Sequence, residues 1–277
     1  MLIRFGYEIT LDCAAPTPMV CQLDVHPSCS HAIRAETQFT TQPHIRSWLY
    51  SDVFGNLCRR FNAPAGSLTI AHSGVFEASG LPDPILPDAA EIPVADLPDD
   101  TLLYLVGSRY IETDRLSQIA WSHFGQTAPG WGRVQAICDF VNAHISFGYE
   151  NARSTRTAYE AYTERVGVCR DFAHLAVAFC RCMNIPARYA NGYLGDIGVP
   201  PDPAPMDFNA WFEVFLGGRW HTFDARHNMP RIGRILIARG RDAADIPLVN
   251  SFGPHVLKSF RVWTDEIATN DAISLAT

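Results

Sequence analysis

Cys169, in the run Gly167-Val168-Cys169-Arg170-Asp171-Phe172, is the residue best placed for nucleophilic chemistry. Val168, Phe172, Leu175, Ala176, Phe179 and Met183 recur at helical spacing, which puts Cys169 in the first turn of a helix. There it meets backbone N–H groups without intrahelical partners and the positive end of the helix dipole, both of which favour thiolate over thiol. Arg170 adds a positive charge in the same direction, while Asp171 opposes it. The competing reading is packing alone, the ordinary fate of a cysteine and the one expected for Cys138, Cys180 and Cys182.

A second cluster comes from hairpin register. Gly217-Gly218 reads as a two-residue turn between strands 210–216 and 219–223. Pairing Leu216 with Arg219 then sets Trp211 opposite Asp224, with Asn209 as the diagonal neighbour. An acid ending one strand beside a polar residue opening the next is suited to orienting a ring or an amide. Glu213 shares that face and is expected to be structural. Three histidines lie within reach in sequence. His174, five residues past Cys169, is rotated about 140° away round the helix, and His221 lies on the opposite sheet face from Asp224. His227 follows Asp224 by three residues in Asp224-Ala225-Arg226-His227-Asn228, where a turn would bring its ring back. Local hydrogen bonding of a loop histidine is the alternative. Arg188, Tyr189 and Tyr193 lie on the strand after the Cys169 helix, and Tyr193, Trp211 and Arg170 are the substrate-contact candidates.

The elements that must hold these residues divide the chain in two. Ile3, Phe5, Tyr7, Ile9 and Leu11 alternate with polar or small residues, and further strands are expected at 19–25, 33–41, 48–54 and 67–71. Residues 1–78 therefore read as an all-β domain, a sandwich. Residues 79–100, with five prolines and six acids, read as an extended connector. Residues 101–277 form the second domain. It opens with helices carrying Leu116, Ile119, Ala120 and Phe124, then Val134, Ile137, Cys138, Val141 and Ile145, then a helix begun by the capping box Thr157-x-x-Glu160. Strands follow at 187–193, 210–216 and 219–223.

At 277 residues with 47% hydrophobic content the chain can bury two cores. A net charge of −7 with mixed signs throughout excludes the basic footprint of a nucleic-acid binder or an anionic-membrane binder. The chain opens directly in a strand pattern without a leader or membrane-length run, so a cytoplasmic location is expected. Eight cysteines, with Cys13, Cys21 and Cys29 at eight-residue intervals, lack paired zinc spacing, so free thiols, no metal and no cofactor are expected. Arg231, Arg234, Arg239 and Arg241 read as a solvated face.

Several blocks together resemble the transglutaminase-like superfamily: Gly167-Val168-Cys169-Arg170-Asp171-Phe172-Ala173-His174-Leu175, Asn184-Ile185-Pro186-Ala187-Arg188-Tyr189, Asn209-Ala210-Trp211-Phe212-Glu213-Val214 and Trp220-His221-Thr222-Phe223-Asp224. The resemblance spans about residues 110–230. It implies an α+β chain: an N-terminal antiparallel β-sandwich, then a papain-like core with the nucleophile helix packed on an antiparallel sheet. It also implies a Cys-His-Asp triad with Cys169 as nucleophile and Asp224 as orienting acid. One position departs from the pattern. The expected histidine is Asn209, and an amide cannot accept and return a proton. The expected activity is cysteine-type hydrolysis of a peptide, protein or small amide through an acyl-enzyme, with acyl transfer as a variant. The alternative is a peptide- or amide-binding module without turnover.

Overall fold

The computed structural model describes residues 1–267. Its strands are β1 (Leu2–Cys13), β2 (Thr17–Cys21), β3 (Ile33–Glu36), β4 (Thr40–Gln42), β5 (Ser47–Ser51), β6 (Leu57–Ala63), β7 (Gly66–Glu77), β8 (Ser146–Phe147), β9 (Val166–Gly167), β10 (Ala187–Tyr193), β11 (Asn209–Leu216), β12 (Arg219–Phe223), β13 (Ile235–Gly240), β14 (Val249–Ser251) and β15 (His255–Glu266). Its α-helices are α1 (Asp99–Leu102), α2 (Thr113–Phe124), α3 (Trp131–His144), α4 (Ala158–Glu164) and α5 (Cys169–Cys182).

The alternation of β1 buries Ile3, Phe5, Tyr7, Ile9 and Leu11 on one face. That strand lies between β15 and β7 in the first antiparallel sheet. The second sheet, ordered β14-β2-β6-β5, contributes Met19, Cys21, Phe61 and Ala63 to the same core. The two faces together make the N-terminal β-sandwich. Strand β6, which was not anticipated, carries Phe61 and Ala63 inward; its polar neighbours Arg59, Arg60 and Asn62 obscured the alternation.

Pairing in these sheets corrects the expected domain limits. β15 pairs along the whole of β1, from Ile3↔Glu266 to Cys13↔His255, and β14 pairs with β2. Residues 249–266 thus complete the sandwich rather than the second domain expected over 101–277, of which residues 268–277 lie outside the described residues. The physical reason is edge protection: β1 and β2 would otherwise expose unpaired N–H and C=O groups. The connector is also more than a spacer. Asp83 N–H donates to the Arg231 carbonyl (2.9 Å), and Trp131 N–H to that of Ala89 (2.9 Å), which fasten residues 83–89 to the core.

The second core is built round α5, packed by α2, α3 and α4 on one side and by the sheet β12-β11-β10-β13 on the other. Phe179, Leu175, Ala176 and Val177 are fully buried with Phe212, Val214 and Leu216 of β11. A buried Leu or Phe of this kind contributes about 1.5–3 kcal/mol. At the start of α5, Val168 is extended, and its N–H donates to Asp171 Oδ2 (2.9 Å), which also accepts from Arg156 Nη1 (3.1 Å). The helix stops where Asn184 turns left-handed (φ 63°) before Pro186. The α+β fold is thus a sandwich followed by a helix-on-antiparallel-sheet core.

Candidate active site

Three segments converge at the N-terminus of α5. β9 ends one residue before the N-cap Val168 and pairs in parallel with β8, Phe147 opposite Gly167, which brings Tyr149 within electrostatic reach of Cys169. The start of β11 supplies Asn209 and the backbone N–H of Ala210, which points at the thiol. The turn after β12 supplies Asp224, Arg226 and His227.

Hairpin register places the acid. Gly217 and Gly218 both adopt positive φ (56° and 84°), the two-residue turn that fits strand twist, and Leu216 pairs with Arg219. Continuing from Phe212↔Phe223 sets Asp224 level with Trp211. The turn beyond is pinned at several points. Asp224 Oδ1 accepts the N–H groups of Arg226 (3.1 Å) and His227 (3.0 Å), and Asn228 N–H returns to the Asp224 carbonyl (2.8 Å). Asn142 Nδ2 donates to the carbonyls of Ala225 (3.1 Å) and Arg226 (2.7 Å).

This turn folds the His227 ring onto the acid, with Nδ1 at 2.8 Å from Asp224 Oδ2. Arg226 Nη1 lies 2.7 Å from Nε2. A guanidinium can only donate, so Nε2 carries the lone pair and Nδ1 the proton given to Asp224. Burial would push the Asp224 carboxyl up, but the charge of Arg234 and the hydrogen bonds from His227 hold it well below the usual carboxylate range. Arg234 Nη2 is 2.9 Å from Asp224 Oδ2, and its Nε is 2.8 Å from Asp83 Oδ2 in the connector.

The thiol behaves differently from the sequence expectation. Burial, reinforced by the negative charge of Asp207, pushes the Cys169 thiol up to about 11, against the Ala210 N–H and the charge of Arg226. Desolvation outweighs the helix dipole here, so the resting sulfur is a thiol. Among the described residues no histidine hydrogen-bonds it. Asn209 Nδ2 reaches the Leu194 carbonyl at 3.5 Å, and Asn209, Asp207, Tyr149, Arg226 and His227 line a cavity of about 70 Å³, enough for about two waters.

Of the sequence candidates, Asp224 and His227 are hydrogen-bonded to each other and His227 lines one cavity with Asn209, while three others lie elsewhere. Tyr193 is fully buried in the sandwich core, its ring 5.2 Å from that of Phe5. Trp211 is 2% exposed, packed with Ala190 and Leu236 under the guanidinium of Arg234. Arg170 turns away from the sulfur to the carbonyls of Ser154 (2.8 Å) and Arg153 and to Asp171 Oδ1 (3.4 Å). Each was placed by strand parity or chain adjacency, which do not show what lies across the face. His174 is buried, stacked on Tyr110, with Nε2 accepting from Ala243 N–H (3.2 Å). His221 bonds the Leu216 carbonyl (3.0 Å), and Glu213 is tied to Arg188 (2.6 Å) and Arg239 (3.0 Å). The expected solvated face of arginines is largely inside: Arg231 and Arg234 are buried against acids, because the connector and the loop after β10 cover them.

Sequence reasoning missed Asp207, Arg226 and Arg234. Asp207 stands two residues before Asn209, hence on its side of an extended chain, and that parity was the available signal. No comparable signal marked Arg234.

A thiol at a helix N-terminus, facing a sheet that ends in an acid–imidazole pair, defines a papain-type cysteine-enzyme core. Residues 121–225 match the model of the Transglutaminase-like superfamily, and the chain carries that superfamily's papain-type core. A structure from Cytophaga hutchinsonii, provisionally named a cysteine protease, superposes with a TM-score of 0.83 at 28% identity, over 97% of this chain and 91% of that one. An uncharacterized protein of Mycobacterium leprae is 27% identical over 226 residues, 74% of this chain and 76% of its own length. Another from Mycobacterium tuberculosis is 31% identical over 126 residues, 41% of this chain and 40% of its own. Among the described residues no helix is long and apolar enough to cross a membrane.

Proposed function

We propose that this protein is a cysteine-type amide hydrolase in which Cys169 is the nucleophile and His227, oriented by Asp224, is the acid–base. The observation that carries the reading is the 2.8 Å bond between His227 Nδ1 and Asp224 Oδ2, which leaves Nε2 as the acceptor of a ring that lines the same cavity as Asn209. The imidazole absent from the strand start is supplied from the turn after β12. The likeness to the Cytophaga hutchinsonii protein supports the same class of chemistry.

With the thiol at about 11, a preformed thiolate–imidazolium pair is not the resting state. Proton removal accompanies attack. Nε2 takes the Cys169 proton as the sulfur bonds to the acyl carbon, and the Cys169 backbone N–H at the helix start supports the oxyanion. The C–N bond then breaks, the departing amine takes the proton from Nε2, and a thioester remains for water to cleave. An amine in place of water gives acyl transfer. The guanidinium of Arg226 must leave Nε2 first, because a lone pair already accepting one N–H cannot take the thiol proton.

The test uses p-nitrophenyl acetate, with acetylation of Cys169 followed by intact mass. The wild type acetylates at Cys169, and His227→Ala slows this about 100-fold or more, the usual weight of a positioned base. An unchanged rate in His227→Ala removes His227 from the mechanism. The Asn209 amide and the capped Nε2 favour one other reading, an amide-binding module without turnover. Acylation that appears only in Asn209→His would establish that alternative.

A further inference from the structure

The arginines round the site differ in one respect. Arg234 is paired with Asp83 and Asp224, and Arg231 with Asp196. Arg226, half-buried at the cavity beside Cys169, has no carboxylate partner among the described residues, and its guanidinium bond goes to the lone pair of His227 Nε2. The guanidinium lies over the Phe147 ring, 3.9 Å from its centroid, which leaves the planar edge free to turn without losing that face. Its charge reaches the Cys169 sulfur.

We propose that Arg226 is the anchor for a carboxylate on the acyl substrate, and that the same residue keeps His227 capped until that carboxylate arrives. This rests on the cysteine-hydrolase reading for its consequence, though not for its test. An imidazole nitrogen offers the guanidinium one neutral acceptor; a carboxylate offers two charged ones in the fork geometry that arginine matches. An incoming carboxylate therefore outcompetes Nε2, draws Arg226 away, and frees the lone pair that takes the thiol proton. Substrate and base activation are thereby coupled, and acyl groups without a second carboxylate react only in the fraction of molecules whose Arg226 has left Nε2 unaided.

The cavity also sets a cost. Asp196, Asp202 and Asp207 line it with Arg226 and Arg231, so the acids outnumber the arginines. Asp207 Oδ1 accepts from Phe208 N–H (2.6 Å), and Asp202 Oδ1 from Ala204 N–H (2.9 Å), which ties both to the segment 196–208. The substrate class this chemistry selects is a dicarboxylic monoamide, its carboxylate on Arg226 and its amide carbonyl at Cys169, with the rest of the molecule outside a cavity that holds about two waters.

The probe is glutarate, titrated into full-length protein labelled with ¹⁵N-histidine. Saturable binding that shifts His227 Nε2 far more than Nδ1 is expected, since only the Arg226 bond is exchanged. In Arg226→Gln, affinity falls at least tenfold and the Nε2 shift is gone at the outset; in Asp207→Asn, glutarate binds more tightly. Equal binding by wild type and Arg226→Gln, or binding that leaves Nε2 unmoved, overturns the proposal, as does no saturable binding. None of these readings requires turnover, so loss of the hydrolase reading in His227→Ala and loss of the anchor in Arg226→Gln are separate results.

Discussion

Replacing Asp207 by Asn makes Cys169 a stronger acid, and the size of the effect follows from what surrounds the sulfur. The thiol stands at about 11, raised from 9.0, with burial first among the causes and Asp207 second. At pH 7 the thiolate fraction is then on the order of 10⁻⁴. Asp207→Asn removes one full negative charge while keeping the side chain's shape and an oxygen for the Phe208 N–H. Burial outranks it among the causes, so the substitution returns the thiol only part of the way from about 11 toward 9.0 and raises the thiolate fraction at neutral pH by less than about a hundredfold. The assay is iodoacetamide alkylation of Cys169 from pH 6 to 11, read by peptide mass. Wild-type rates should climb about tenfold per pH unit toward a midpoint near 11, with the Asp207→Asn midpoint displaced downward but still above 9.0. A wild-type midpoint below that of free cysteine refutes the reasoning, because it means the helix N-terminus and Arg226 outweigh desolvation. An unmoved midpoint in Asp207→Asn removes that acid from the account.

Two stability predictions follow from buried charges. Asp224→Ala leaves Arg234, whose side chain is 8% exposed, with Asp83 alone, and should lower urea stability by about 2–3 kcal/mol, with Asp224→Asn losing less; an unchanged midpoint refutes the pairing. The carboxyl of Asp224 is depressed in the folded state, so this contribution is complete above the unfolded value of about 4 and is lost as pH falls toward the folded one. His26, lowered to about 4 by burial and then by Arg239, works on a different window. Its folded value lies below the unfolded value of about 6.5, so stability is full above about 6.5 and is lost by up to about 3 kcal/mol as pH falls to about 4. His26→Asn, which keeps an acceptor for the Ser28 N–H, should flatten that slope, and identical slopes would exclude His26 as its source.

How far the sequence anticipates the site depends on the range of the interaction that fixes each residue. The helix at Cys169, the capping box at Thr157 and the Gly217-Gly218 turn are set within a few residues, and all three form as read. The turn carrying His227 is equally local: Asp224 is three residues away, its carboxylate meets the N–H groups of Arg226 and His227, and the ring bonds within the turn. Arg234 was misread because its partners are Asp83 and Asp224, and the former lies far away in a segment whose composition reads as a linker. Tyr193 was misread for a related reason: the strand it ends reaches into the sandwich, where Phe5 and Phe208 enclose its ring. The C-terminal strand β15 gives a clear case of non-local control. His255–Glu266 is mostly exposed and shows little alternation of its own, and β1 decides its place.

Moving the imidazole from the start of β11 to the turn after β12 alters how the thiol must be activated. A histidine on the strand would face the sulfur directly and could share its proton at rest. His227 approaches from the turn with Nδ1 fixed by Asp224 and Nε2 held by a neighbour in the same turn, Arg226. The acid–imidazole pair is thus assembled in the free protein, while its link to the sulfur is not. Burial and Asp207 reinforce that separation by keeping the sulfur protonated. Under the proposed mechanism the arrangement sacrifices standing nucleophilicity and gains dependence on the ligand: the step that would expose Nε2 is the step that would place a carboxylate on Arg226. On this account Asn209 no longer has to do the work of the residue it replaces. Its amide, already turned to the Leu194 carbonyl, is left to meet the polar groups of whatever enters.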